Sequence, residues 1–194
     1  MAPFSRFDVP TTDTLETVPE DVRAHILTVQ DKTGFVPNVF LALARRPAEF
    51  RAFVAYHDAV MESESGLSKA EREMIVVATS AERSCTYCVV AHGAILRIRA
   101  KDPLIADLVA TNWRQAPITA RRWAMLSYAV KLSLVPEEIG DDDVTSLHEA
   151  GFEDDDIWDI AAVVALFALS NRMAHALALA PNEEFHLMGR LPRE

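Results

Sequence analysis

Apolar residues recur at three- and four-residue intervals along most of the chain, and alternating apolar and polar runs bounded by turn pairs are nearly absent. That period belongs to helices with one buried face, so the pattern predicts an all-α protein. Thr17, with Glu20 three residues on, has the form of a capping box, opening a helix that runs to about Lys32, where Gly34 supplies the stop. Pro37-Asn38 starts a short helix, and Pro47 suits the first position of the next, whose apolar face includes Phe50, Phe53, Val54 and Val60. Gly66 breaks that helix, and Ser68 with Glu71 is a second capping box ahead of a helix over about 69–81. Ser84 is placed to cap the following helix, which ends near Lys101. Asp102-Pro103 opens another, Thr119 caps the one carrying Trp123, Leu126 and Val130, and Pro136 ends it.

The acidic runs Asp141-Asp142-Asp143 and Asp154-Asp155-Asp156 each precede an apolar helical segment. Carboxylates in a first turn favour the helix dipole by about 0.3–1 kcal/mol each when exposed, so both runs read as helix starts rather than metal or interaction motifs. The last helix, about 155–179, is apolar nearly all round from Ala161 to Phe167. Such a helix needs cover on every side, from the domain or from a second subunit, which points to a homo-oligomer. Its longest apolar stretch, Ile160 to Leu169, falls short of the about 20 residues that span a bilayer, so no membrane association is expected. Trp113, Trp123 and Trp158 read as packing anchors, and Met125 and Met173 as core fillers. No linker separates domains, so residues 1–194 form one unit: an N-terminal extension over about 1–37, a redox core over about 38–100 and a C-terminal helical half over about 101–180.

Composition adds exclusions. The 194 residues are half apolar, enough to bury a sizeable core, and 29 acidic against 19 basic side chains leave a net charge of −10. That charge repels phosphate backbones, and the basic residues form no stripe, so nucleic acid is excluded as a partner. The first residues lack a charged start followed by an apolar run, which implies a cytoplasmic protein. In that reducing compartment two cysteines three apart point to redox chemistry or metal binding, not to a structural staple.

Those cysteines carry the chemistry. Cys85, Cys88 and His92 share one helix face, and Glu73 on the preceding helix can return to His92 if the chain reverses sharply at Arg83-Ser84. A carboxylate, an imidazole and two thiols in relay order are what an activated cysteine needs: a base beside the nucleophile and a third group orienting the base. Dipole logic favours Cys85, nearer the helix start, as the more acidic thiol, whereas base logic favours Cys88, one turn from His92. The competing reading is half a zinc site, with His92 as third ligand and Glu73 or His57 as fourth. His57, and Asn171 and His175 on the last helix, read as structural, the alternatives being that related folds bring His57 near the site and that Asn171 and His175 line the pocket from its other side.

The spacing Glu73-x11-Cys85-x-x-Cys88-x3-His92, with Leu67-Ser68 opening the glutamate helix and Ala91-His92-Gly93 after the cysteines, resembles the core motif of the AhpD-like alkylhydroperoxidases. These belong to the carboxymuconolactone decarboxylase superfamily, and the peroxidase-related branch has about this length. The specific match covers roughly residues 38–99. The resemblance implies an all-α AhpD-like helical bundle assembled as a dimer, trimer or hexamer, and reduction of hydroperoxides through the cysteine pair without metal, haem or other cofactor. It implies Cys88 as the peroxide-attacking thiol, Cys85 as the resolving thiol that also meets a dithiol reductant protein of lipoyl or thioredoxin type, and Glu73 with His92 as proton relay. Where well-known members place a histidine before the second cysteine, this chain has Tyr87, whose phenol is a poor base at neutral pH. Two rivals stand beside this reading. One is a lactone decarboxylase, whose known relatives do not need the cysteine pair; the other is a zinc-binding or redox-sensing interaction module.

Overall fold

The computed structural model describes residues 4–190, and among these every regular element is helical. The order is α1 (Glu20–Thr33), α2 (Asn38–Ala44), α3 (Pro47–Met61), α4 (Lys69–Glu82), α5 (Thr86–Ala100), α6 (Ile105–Asn112), α7 (Ala120–Leu134), α8 (Asp141–Glu149) and α9 (Asp154–Leu177). The start signals hold at Pro47, which occupies the first turn of α3, at Ser68, which accepts from the Glu71 N–H, and at Thr119, which accepts from the Arg122 N–H. Gly34 ends α1 in the left-handed conformation at φ 86. Both acidic runs occupy the first turns of α8 and α9.

Some starts differ. Pro19 precedes α1, while Thr17 closes a short 3-10 turn and donates its hydroxyl to the Thr14 carbonyl, so Thr17 is not the cap. Asp102-Pro103 lies in a turn, with the Asp102 carboxylate accepting from the Leu104 N–H, and α6 begins only at Ile105.

The fold is organised around α4, which packs against α5, α6, α7 and α9. Met74, Ile75, Val76, Val77 and Ala78 are all fully buried, so over residues 71–80 α4 has no solvent face, and Glu71, Arg72 and Glu73 are buried with the rest. A buried charge is tolerated only when paired. Glu71 is held by Arg121 at 2.9 Å and by Ser68 at 2.8 Å. Arg72 reaches Asp159 at 2.8 Å and Ser65 Oγ at 2.7 Å, and also donates to the Val60 carbonyl, pinning the α3–α4 connection to α9. The third charge, Glu73, is satisfied differently, as described below.

With 24 residues and a window of mean hydropathy 1.5, α9 is long and apolar enough to cross a membrane, which corrects the expectation drawn from its shorter uninterrupted stretch. Here it serves as a core helix: Ile160, Val163, Val164 and Phe167 are buried in the main core with residues of α4 and α7. Its other side is not covered. Trp158 is 74% exposed and Leu169 53%, and Met173 also faces outward, so neither Trp158 nor Met173 is a core residue of the single chain. Trp123 is likewise half exposed, tilted against the buried Trp113, while Met125 is fully buried as expected. The terminal segments close over the far end of α9. Arg6 N–H donates to the Leu177 carbonyl at 2.6 Å, and Arg97 reaches the carbonyls of Phe185 and Met188 at 2.7 and 2.8 Å.

Candidate active site

The site is built on the reversal between α4 and α5. The Cys85 N–H donates to the Ser80 carbonyl and the Ser84 N–H to the Ala81 carbonyl, both at 2.9 Å, the paired bonds that close a helix with a left-handed residue. Ser84 is that residue, at φ 54, so it terminates α4 instead of capping α5. Cys85 takes the N-cap position of α5. The shift of one residue matters: the first sulfur stands at the positive end of α5, and Cys88 follows in its first turn.

Both cysteines are free and buried, with their sulfurs 2.9 Å apart. The Cys88 thiol and backbone N–H face the Cys85 sulfur and, with the imidazoles of His175 and His92 nearby, lower the Cys85 thiol from 9.0 to about 7. Cys88 moves the other way, raised by sharing its proton with Cys85 and by burial, with the Ser80 hydroxyl beside it offsetting part of the effect. The two sulfurs therefore titrate as a coupled pair, whose first proton leaves near pH 7 and whose second is held well above that.

Glu73 Oε2 lies 2.8 Å from His92 Nδ1, with side-chain exposures of 6% and 15%. A carboxylate can only accept here, so Nδ1 carries the proton, and Nε2 is the nitrogen left to exchange one. The imidazole is set edge-on to Phe167 with ring centroids 4.6 Å apart. Among the hydrogen bonds of the described residues, His92 binds Glu73 and neither sulfur.

The opposite wall comes from α9. Phe167, Asn171, Ala174 and His175 are spaced to share one face of that helix. Asn171 Oδ1 accepts from Ser80 Oγ at 3.0 Å, and His175 Nε2 lies 3.0 Å from the Arg83 carbonyl. A cavity of about 300 Å³ opens here, lined by Cys85, Tyr87, Ala174, His175, Leu179 and Arg6 among others. His175, read from sequence as structural, thus lines the cavity into which Cys85 faces, whereas Cys88 lies behind it. Asn171 is structural support, as read. The i, i+4, i+8 spacing Phe167, Asn171, His175 was the available signal, but which helix that face would meet is a long-range fact.

Tyr87 is also buried. Its hydroxyl accepts the Val39 N–H at 3.2 Å, tying α5 to the first turn of α2, and burial pushes the phenol above its ordinary pKa. Its ring lines the cavity while its hydroxyl points to α2. His57 binds the neighbouring Asp58 carboxylate at 3.1 Å and stacks on Phe53. Among the described residues no three His, Cys, Asp or Glu side chains converge as a metal site, so the ligand set considered for zinc does not assemble.

The carboxymuconolactone decarboxylase family model matches residues 47–130, spanning α3 to most of α7. A solved structure from Ralstonia eutropha, described as a peroxidase-related protein with an alkylhydroperoxidase AhpD core, shares 57% identity over 100% of both chains with a TM-score of 0.96. The chain belongs to the AhpD-like carboxymuconolactone decarboxylase superfamily, in its peroxidase-related branch. A second member of this branch, a peroxidase-related protein from a Silicibacter species, is 40% identical over 98% of this chain and 99% of its own, with a TM-score of 0.91. The debrominase Bmp8 shares the AhpD-like fold at 16% identity, with a TM-score of 0.79 over 96% and 97% of the two chains. No curated protein matches the sequence.

Proposed function

We propose that this AhpD-like protein is a thiol-dependent hydroperoxide reductase, working through the Cys85–Cys88 pair with Glu73 and His92 as its proton relay. The observation that carries the reading is the juxtaposition of two free sulfurs 2.9 Å apart with a buried carboxylate–imidazole pair on the same hairpin. One proton of the cysteine pair passes to His92 through a bridging molecule, and the proton that remains moves to Cys85. The Cys88 thiolate then attacks the outer peroxide oxygen, the O–O bond breaks, and the leaving alkoxide takes the proton held by His92. The sulfenic acid on Cys88 condenses with the Cys85 thiol, releasing water and forming the disulfide. Tyr87 forms a wall of the cavity and supplies no base.

A dithiol protein of lipoyl or thioredoxin type restores the pair by exchange at Cys85. That sulfur faces the cavity, and its low pKa makes it a good leaving group when the second thiol of the reductant resolves the mixed disulfide. The exposed apolar side of α9, with Trp158 and Leu169, is the surface a second copy would cover in a homo-oligomer, and the cytoplasm is the compartment that keeps both thiols reduced between turnovers.

The test is a thiol titration with intact mass before and after one equivalent of an organic hydroperoxide. Loss of both thiols with a mass decrease of two hydrogens is expected. In Cys88→Ser peroxide consumption is abolished, and Cys85→Ser completes one turnover and stops as a sulfenic acid. Equal, full activity in both variants refutes the scheme, and the reverse pattern transfers the attack to Cys85.

A further inference from the structure

The proposed relay uses one imidazole, but two histidines flank the cysteine pair. His92 sits on the inner side, engaged with Glu73. His175 sits on α9 across the cavity from Cys85 and is exposed to solvent. A backbone carbonyl can only accept, so the contact of His175 Nε2 with the Arg83 carbonyl at 3.0 Å places a proton on Nε2 and leaves Nδ1 as the basic nitrogen of the neutral ring. That bond also fixes the ring to the residue preceding the Ser84 turn, so His175 is oriented by the same reversal that presents Cys85.

We infer that His175 is the acid–base residue of the reductive half of the cycle, exchanging protons with thiols that enter the cavity and with Cys85, while the His92 pair serves the oxidative half. The inference rests on the proposed thiol–disulfide cycle and assigns it a second proton route. In the exchange, one thiol of an incoming dithiol gives its proton to His175 as its sulfur attacks Cys85, and the Cys85–Cys88 bond breaks with its electron pair going to Cys88. The second thiol then attacks the sulfur of its own molecule in the mixed disulfide. That bond breaks toward Cys85, which takes the proton held by His175, and the proton of the second thiol ends on Cys88. The products are one cyclic disulfide and two protein thiols.

The charged and titratable neighbours suit this role. Arg6 enters from the N-terminal segment, Cys85 and Tyr87 from the start of α5, and among the described residues no carboxylate lines the cavity. Arg83 turns its side chain to Ser133 on α7, and on α9 itself Arg172 turns back to the Ala168 carbonyl. Among the described residues lining the cavity, nothing anionic except the cysteine pair competes for the His175 proton. The lowered pKa of Cys85 agrees, since His175 is one of its causes.

The test uses full-length protein oxidised to the disulfide with diamide, so that it does not depend on peroxide turnover, and follows reduction by dithiothreitol across neutral pH. In His175→Gln the amide keeps a donor for the Arg83 carbonyl but cannot take a proton. Reduction is expected to slow about tenfold near neutrality, with the rate then rising with pH only as dithiothreitol itself ionises. His175→Ala is expected to slow similarly and to regain rate with added free imidazole, which fits a cavity of about 300 Å³. A His175→Gln protein with the parent rate and pH profile overturns the inference, as does a His175→Ala defect that imidazole does not restore. Failure of diamide to form the disulfide at all counts instead against the two-cysteine reading.

Discussion

If Cys85 owes its acidity mainly to sharing the Cys88 proton, deleting that thiol raises the Cys85 pKa, and Cys88→Ala is the variant that shows it. The parent value is about 7 against 9.0 for an ordinary thiol. Complete loss of the shift cuts the thiolate fraction at neutral pH from about one half to about one hundredth, roughly 50-fold. The rate of alkylation falls by less, because a more basic thiolate is more nucleophilic; with a Brønsted slope of about 0.4–0.5 over about two units, that gain is about six- to tenfold. The net loss near neutrality is therefore only about five- to eightfold. A rate at a single pH is a poor readout, and the inflection of the full profile is the decisive one.

Site-resolved mass spectrometry of iodoacetamide labelling, on reduced protein across the accessible pH range, supplies that profile. The parent Cys85 is expected to inflect near 7, and in Cys88→Ala the inflection moves up by more than about one unit, with a higher plateau at alkaline pH. The backbone N–H groups at the start of α5 and the two histidines remain in the variant, which is why the shift stops short of the ordinary value. An inflection that stays near 7 in Cys88→Ala refutes proton sharing and assigns the acidity to the helix terminus and the histidines. A parent inflection near 9 refutes the electrostatic reading of the whole pair.

The same pair makes stability depend on pH. Between about 7 and 9 the unfolded chain holds a proton on Cys85 that the folded chain has released, so stability of the reduced protein rises across that window. Above 9 the unfolded chain loses the Cys88 proton that the fold retains, so stability declines again. The rise is about 1–2 kcal/mol after solvent screening, read by urea unfolding, and Cys85→Ser is expected to flatten it; an unchanged slope in that variant counts against it. Arg72→Ala strands Asp159 and the Val60 carbonyl and is expected to cost about 3–5 kcal/mol in the same assay, with a loss under about 1 kcal/mol contradicting the pairing. Tyr87→Phe removes the acceptor of the Val39 N–H and is expected to cost about 1–3 kcal/mol without moving the Cys85 inflection; a moved inflection gives the phenol a place in the site electrostatics.

Much of this was legible because local chemistry dictates it. Pro47, Ser68, Thr119 and Gly34 act within one turn of themselves, and their signals hold. The hairpin that joins Glu73 to His92 follows from two helices and a short reversal, which places both residues by sequence distance alone. Two kinds of fact were not legible. Ser84 has the composition of an N-cap and the geometry of a helix stop, because the bonds from Cys85 to Ser80 and from Ser84 to Ala81 outweigh the cost of a left-handed serine. A local rule that scores the residue cannot see which of the two adjoining helices claims it. The second kind depends on distance along the chain: nothing near His175 in sequence says that α9 will lie across the start of α5.

These two omissions have one physical consequence. Had Ser84 capped α5, Cys85 would have occupied the first helical position, and the Cys88 N–H would have stood one residue further along. With Cys85 itself as the cap, its sulfur stands beside the Cys88 backbone N–H, and the reversal that creates this position also offers the Arg83 carbonyl to His175. The position of the cavity-facing thiol and the orientation of the imidazole opposite therefore have a common origin in the Ser84 turn. A peptide unit displaced at that turn would disturb both at once, while leaving the Glu73–His92 pair, anchored about two turns away on each helix, in place.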